Sequence, residues 1–224
     1  MCGRFTLAYP RADLIKRYRA VTMSDIEPRY NIVPSTDIVV IRDSGTGREI
    51  LMMHWGLIPH WAKDIKMLPL LLNARAESLV IKPSFKHAFR RQRCLIPASG
   101  FYEWKQMADG RSKQPFYISA KDGNPLSFAG LWESATVDEV VINSCTIITT
   151  KSNELIHPIH DRMPVILPPE AWDTWLTPSP LPDDILMAIL MKPLASEHMH
   201  LWPVSPAVGR INNQGDQLIL PVNE

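Results

Sequence analysis

Apolar positions along this chain fall mostly in short runs bounded by turn residues, interrupted by a few stretches of helical period. Phe5 and Leu7 alternate with Arg4 and Thr6, which predicts a short first strand. Pro10 suits the first turn of a helix reaching to about residue 20, with Leu14, Ile15 and Tyr18 on one face. Arg29-Tyr30-Asn31-Ile32-Val33-Pro34 holds no clear period and reads as a loop. Strands are expected over 38–41 and 50–54, around the hairpin signal Asp43-Ser44-Gly45-Thr46-Gly47. The segment from Trp55 to Trp61 carries too much Pro and Gly for a helix. Pro83 opens a short basic helix to residue 91, and strands follow at 93–98 and 101–105, broken at Ser99-Gly100.

Further strands are expected over 115–120, 126–132, 145–150 and 163–167. Ser152 is placed to cap a short helix to about His157, and helices are expected from Pro168-Pro169-Glu170 and from Asp183-Asp184. Strand-like pieces at 201–204 and 218–222 close the chain. Nothing repeats internally and no linker separates two halves, so the pattern predicts a single α+β domain over residues 1–224. Its core should be mainly antiparallel and barrel-like, with short peripheral helices. Twenty prolines against ten glycines favour the same picture of short elements and rigid turns.

A net charge of +1 advertises no global field for a polyanion, so any nucleic-acid site must be a local cluster of Arg and Lys. Three cysteines, Cys2, Cys94 and Cys145, argue against a disulfide framework and for a reducing compartment. The start lacks the basic-then-apolar run of a signal peptide, and no apolar stretch approaches a membrane span. A bacterial cytoplasmic protein, nucleoid-associated and monomeric, is expected.

The chemistry begins at Cys2. If Met1 is removed, this residue carries an α-amine and a thiol on adjacent carbons, a pair that closes on an aldehyde as a five-membered thiazolidine. An α-amine with a reference pKa of about 7.7–8.0 is partly neutral near pH 7. The same residue could instead be an N-terminal nucleophile on an acyl carbon, or simply part of a first strand. Glu103 shares a strand face with Phe101, where a carboxyl against aromatic surface tends to have a raised pKa. A surface glutamate paired with Lys105 is the alternative. His160, beside Asp161 and Arg162, reads as an acid or base next to an anion-binding arginine. His157 and His160 are spaced for a metal, but Pro158 breaks the helix between them, and neither a metal nor a cofactor is expected. Asn73 and Arg75 alternate on a probable strand edge and can face one ligand. Trp55, Trp61 and Trp104 could stack on bases or pack the core. The basic helix containing His87 reads as a solvated face, and Cys94 and Cys145 as buried and inert.

Met1-Cys2-Gly3-Arg4-Phe5, Arg29-Tyr30-Asn31-Ile32-Val33-Pro34, Trp55-Gly56-Leu57-Ile58-Pro59, Asn73-Ala74-Arg75-Ala76-Glu77, Arg93-Cys94-Leu95-Ile96-Pro97-Ala98, Gly100-Phe101-Tyr102-Glu103-Trp104 and His160-Asp161-Arg162-Met163-Pro164 occur in this order. Together they resemble the SOS-response-associated peptidase (SRAP) family of abasic-site processing proteins. The resemblance implies one domain with a mixed, barrel-containing β core and single-stranded DNA lacking a base as the partner. It implies a thiazolidine crosslink between Cys2 and the sugar aldehyde after Met1 is lost, with self-processing and AP-lyase activity as associated reactions. It places catalytic roles on Cys2, Asn73, Glu103 and His160, and phosphate contacts on Arg4, Arg75 and Arg162. Pro34 and the segment carrying Trp61 resemble the parts that separate or stack flanking bases. The segment from Ser205 to Asn213 fits the family's closing motif only approximately. Two other classes stay open: a thiol peptidase or amidohydrolase acting on outside substrates, and a non-catalytic reader of single strands.

Overall fold

In the computed structural model, which describes residues 2–22, 25–65, 68–177 and 180–222, β-branched and apolar runs form two sheets. The larger holds β2 (Ala20–Thr22), β4 (Asp37–Asp43), β5 (Arg48–Trp55), β7 (Arg93–Ala98), β10 (Leu126–Val137), β11 (Val140–Lys151) and β12 (Arg162–Pro164), with β6 (Asn73–Arg75) alongside β11. It closes on itself. The order β11-β10-β7-β4-β5 returns to β11 through a parallel pairing of Ser144 with His54 and Cys145 with Trp55, making a five-stranded mixed barrel. Closure removes the open edge that a flat sheet would present. The smaller sheet runs in the order β13 (Met199–Pro203), β9 (Lys113–Ala120), β8 (Gly100–Gln106), β1 (Phe5–Leu7), β3 (Arg29–Ile32).

Strand β11 organises the site side of the barrel. One edge pairs with β10 along its length, and the other is taken in succession by β5, β6 and β12. Asn73 thereby lies opposite Ile147, and Arg162 opposite Lys151, on the same edge. Phe5 joins the two sheets: it pairs with both Ile32 and Phe101, and its ring meets Trp55 at 5.3 Å and Phe128 at 6.0 Å, edge-on. Helices α1 (Arg11–Tyr18), α2 (Pro83–Arg91), α3 (Pro169–Leu176) and α4 (Asp183–Leu190) pack outside. Tyr18 of α1 stacks on Trp172 of α3 at 4.7 Å and hydrogen-bonds Ser127 at 2.8 Å. No described helix is long and apolar enough to cross a membrane.

The predicted α+β class with a barrel core and short helices is the observed one. Four local expectations fail. Residues 29–32 form β3 instead of a loop, because Asn31 finds enough partners to be buried in a strand. The segment after β11 is a hydrogen-bonded turn, and Asn153, not Ser152, caps it: its Oδ1 accepts from the Ile156 N–H at 3.1 Å. The strand expected over 163–167 covers only Arg162–Pro164, with Ile166 in an isolated bridge to Phe128. Residues 216–219 form a 3-10 turn, leaving only Pro221 bridged to Val204 of the predicted closing strand. The β10–β11 hairpin also runs well past Trp132, out to Val137 and Val140.

Gly100 opens β8 where β8 and β9 come very close: a Cβ there would lie 2.4 Å from Tyr117 Cζ and 2.5 Å from the Ile118 carbonyl oxygen. The Tyr117 hydroxyl bonds Thr6 at 2.7 Å, so the ring cannot swing aside without loosening β1. Gly100→Ala should cost about 1–3 kcal/mol, the range of core overpacking, measured as a lower urea midpoint with an unchanged slope.

Candidate active site

Cys2 enters the site as the lead-in to β1. The Tyr102 N–H donates to the Arg4 carbonyl at 2.9 Å, continuing the antiparallel register of Phe5 with Phe101 and setting residues 2–3 beside Glu103. Cys2 is fully buried, at 0% exposure. Burial first, and then the nearby Glu103 carboxylate, push its thiol well above the usual range. The Asn73 amide Nδ2 donates to the Cys2 carbonyl at 2.9 Å. Since a carbonyl can only accept, this fixes the amide's orientation and leaves Oδ1 as the spare acceptor. That Oδ1 is buried and has no hydrogen-bond partner among the described residues.

Glu103 sits on the face of β8 shared with Phe101. Phe101 enters the main core, while Tyr102 and Trp104 on the other face join a second cluster around Tyr117, Val204 and Val208. At 3% exposure, Glu103 is no surface partner for Lys105. Burial raises its carboxyl to about 7. It also lines an open cleft of about 470 Å³ with Arg4, Trp104, Lys113, His160 and Gly209. Glu103 is thus the group common to this cleft and to the buried Cys2.

His160 is held in the turn before β12 by its N–H to the Ile156 carbonyl at 3.0 Å. Its Nδ1 accepts from the Arg162 N–H at 3.0 Å and lies 3.1 Å from the Asp161 carboxylate. The two contacts make opposite demands, one for a lone pair and one for a proton. Burial lowers the His160 pKa, and the Asp161 side chain is mostly solvent-exposed, so its pull is screened. The neutral ring with its proton on Nε2 therefore prevails, and Nδ1 is fixed by the backbone.

The three arginines differ. Arg4 reaches the cleft with Nη1 donating to Asn31 Oδ1 at 2.8 Å and to the Val208 carbonyl at 2.9 Å, its guanidinium 5.9 Å from the Trp104 ring centroid. Arg75 is exposed at the end of β6. Arg162 is buried and committed: it pairs with both oxygens of Glu77 at 2.6 and 2.9 Å and donates to the Thr149 carbonyl at 2.7 Å. Pro34 lies half-buried in the turn after β3. Trp61 is 49% exposed, while Trp55 is buried with its indole N–H on the Leu72 carbonyl at 3.0 Å. His157 is exposed on the turn.

Sequence reasoning missed Asn31 and Lys113. Asn31 is a buried hub: besides accepting from Arg4, its amide donates to the Arg210 and Asn213 carbonyls at 3.0 and 2.9 Å. Gln214 completes the junction, accepting from the Tyr30 N–H at 3.1 Å and donating to the Asn31 carbonyl at 3.0 Å. These bonds hold the C-terminal segment against Arg4. A polar residue inside an otherwise strand-compatible motif was the signal, obscured because the motif reads as a loop.

The family model described as "SOS response associated peptidase (SRAP)" matches residues 1–211. The chain is 42% identical over 223 residues to the abasic site processing protein YoqW of Bacillus subtilis, covering 98% of this chain and 99% of that protein. It is 31% identical over 233 residues to the abasic site processing protein YedK of Escherichia coli, covering 99% and 100%. A crystal structure of a protein from Bacteroides thetaiotaomicron superimposes with a TM-score of 0.88 at 26% identity, covering 99% of this chain and 100% of that one. With the family pattern matched along nearly the whole chain and the fold shared, this protein belongs to the SOS response associated peptidase (SRAP) family.

Proposed function

We propose that this protein processes abasic sites in single-stranded DNA by forming a covalent thiazolidine through Cys2 once Met1 has been removed. The observation that carries the reading is the convergence of Cys2 with Asn73 and Glu103, and of Glu103 with His160 at one cleft. Its relatives are named abasic site processing proteins, which supplies the substrate class.

The ring-opened abasic sugar presents an aldehyde. The Cys2 amine adds to it, giving a carbinolamine, and loss of one water gives an imine. The thiol then adds across the C=N bond: a C–S bond forms, the thiol proton ends on nitrogen, and the ring is closed. While Met1 is attached the amine is an amide and the sequence of steps cannot start. Asn73, already holding the Cys2 carbonyl, has its buried Oδ1 available to accept from the freed amine and orient it. Glu103, with a carboxyl at about 7, holds a proton it can give near neutral pH to the sugar ring oxygen or the carbinolamine oxygen. His160 carries protons as the imine forms and in the reverse opening.

Arg4 and Arg75 hold phosphates around the lesion, and affinity falls as salt rises. Arg162 reaches a phosphate only by giving up Glu77, so its main part is to hold the strand that follows His160. Trp104 at the cleft, Pro34 and the exposed Trp61 contact the flanking bases. An imine at the sugar also promotes elimination of the 3′ phosphate, which would be the lyase side reaction. The single domain over residues 1–224 acts as a monomer in the bacterial cytoplasm. A thiol peptidase acting on outside substrates fits less well, because a buried thiol with a raised pKa is poorly placed to attack as a thiolate.

Intact-mass analysis of the purified protein, with and without a single-stranded oligonucleotide carrying one abasic site, tests the reading. The expected result is loss of Met1 and a heat-stable one-to-one adduct mapped to Cys2. Cys2→Ser should give no stable adduct, and a stable one would sink ring closure. Glu103→Gln should slow adduct formation by about 10²–10⁴-fold while DNA binding persists, the usual contribution of positioned proton transfer. An unchanged rate would remove Glu103 from the acid role.

The raised carboxyl also links stability to pH. The folded protein keeps the Glu103 proton up to about pH 7, whereas the unfolded chain releases it near the ordinary glutamate value. The stabilisation is therefore present at low pH and lost as pH rises through that window, to a total of about 3 kcal/mol. Glu103→Gln should gain stability relative to the parent as pH rises from about 4 to 7. Urea midpoints at matched pH values, read as the difference between the two proteins, measure this directly.

A further inference from the structure

Away from the cleft, Glu133 of β10 is buried to 1% exposure. Each of its oxygens faces one imidazole: Oε2 lies 3.2 Å from His60 Nδ1, and Oε1 lies 3.1 Å from His87 Nδ1. Among the described residues no arginine, lysine or backbone N–H reaches this carboxylate. A buried carboxylate without a cation nearby is costly. A divalent cation between the three groups would supply the missing charge.

We propose that His60, His87 and Glu133 form a binding site for a divalent transition metal of the zinc class. The three ligand atoms all lie within 4.8 Å of one another. Two atoms bound tetrahedrally to Zn²⁺ at its usual distances are about 3.3 Å apart, close to the observed nitrogen–oxygen separations. Two imidazoles and one carboxylate suit zinc, cobalt or nickel, where an all-oxygen set would suit magnesium or calcium. Both histidine side chains are close to half exposed, which leaves outward positions for water and a route of entry.

Each ligand stands on a different, independently held element. Glu133 is fixed in the barrel by its pairing with Ser144. The Ser144 hydroxyl accepts from the Ile58 N–H at 2.8 Å, and the Ala62 N–H closes on the Pro59 carbonyl at 2.8 Å, so the loop carrying His60 is tied to the same hairpin. His87 projects from α2. A bound ion would staple this loop, helix and strand together, and would anchor the residue next to the exposed Trp61. The site is independent of the Cys2 chemistry. It had no motif to betray it, because its ligands are spread over three elements far apart in sequence.

The test uses the tag-free, full-length protein freed of metal with a chelator, titrated with Zn²⁺ against a chromophoric competitor. One equivalent should bind. Glu133→Gln, and separately the surface pair His60→Asn with His87→Asn, should each weaken binding at least tenfold. Circular dichroism and thermal melting check that each variant is folded. Co²⁺ in place of zinc should give a visible spectrum without the near-ultraviolet thiolate band. Substoichiometric binding by the parent, or unchanged affinity in the folded double-histidine variant, would overturn the site. Binding abolished by Cys2→Ala and accompanied by a thiolate band would place the metal at Cys2 and overturn it equally.

Discussion

Strand β1 is three residues long, yet it lies between β8 and β3, with Phe5 paired on both sides and its ring driven into the seam between sheet and barrel. A chain terminus is usually the least constrained part of a fold. Here burial of one aromatic ring and two antiparallel ladders hold it, and Cys2 is delivered to a fixed place beside Glu103 and Asn73. If β1 were loose, the Cys2 thiol would be an ordinary solvent-exposed group with no carboxyl beside it. The tight approach of Gly100 to Tyr117 of β9 serves the same end, since the Tyr117 hydroxyl bonds Thr6 of β1.

The same burial sets the protonation of the site. Glu103 and the Cys2 thiol are both held toward their protonated forms by loss of solvent. His160 is pushed the other way, toward the neutral ring, also by burial. One environment thus yields a carboxyl that retains its proton near pH 7 and an imidazole able to accept one. Charge that would upset this balance is neutralised locally: Arg162 is paired with Glu77 beneath β12, and Arg4 is tethered to Asn31 and Val208 while it reaches the cleft.

The C-terminal segment completes the cleft although it belongs to neither sheet. Asn31, buried in β3, gathers the Arg210 and Asn213 carbonyls, and Gln214 returns two bonds to the backbone of β3. Gly209 and the Arg4 contact with Val208 then form one wall of the cleft. Strand β3 and the C-terminal segment are therefore held together by side-chain amides, whose paired donor and acceptor suit junctions between segments that share no ladder.

Local pattern by itself determined most of the elements. Short apolar runs such as 38–41, 93–98 and 115–120 became strands, and the helices opened by Pro83 and Pro169 lie where proline and apolar spacing put them. The α+β class and the family followed from residues read in order, whereas the aromatic face of Glu103 left both burial and a surface pairing with Lys105 open until the fold buried it. Short-range pattern could not decide closure of the barrel, because the parallel contact of β5 with β11 joins residues about ninety positions apart and has no turn to announce it. Nor could it find Asn31, whose burial depends on carbonyls nearly two hundred residues away. The pairing of Arg162 with Glu77, and of Glu133 with two histidines, likewise depends on which side chains the folded barrel brings within a hydrogen bond of one another. Local propensity acts over a few residues, whereas desolvation and ion pairing act through space, and so the tertiary structure alone set the environment of each charge.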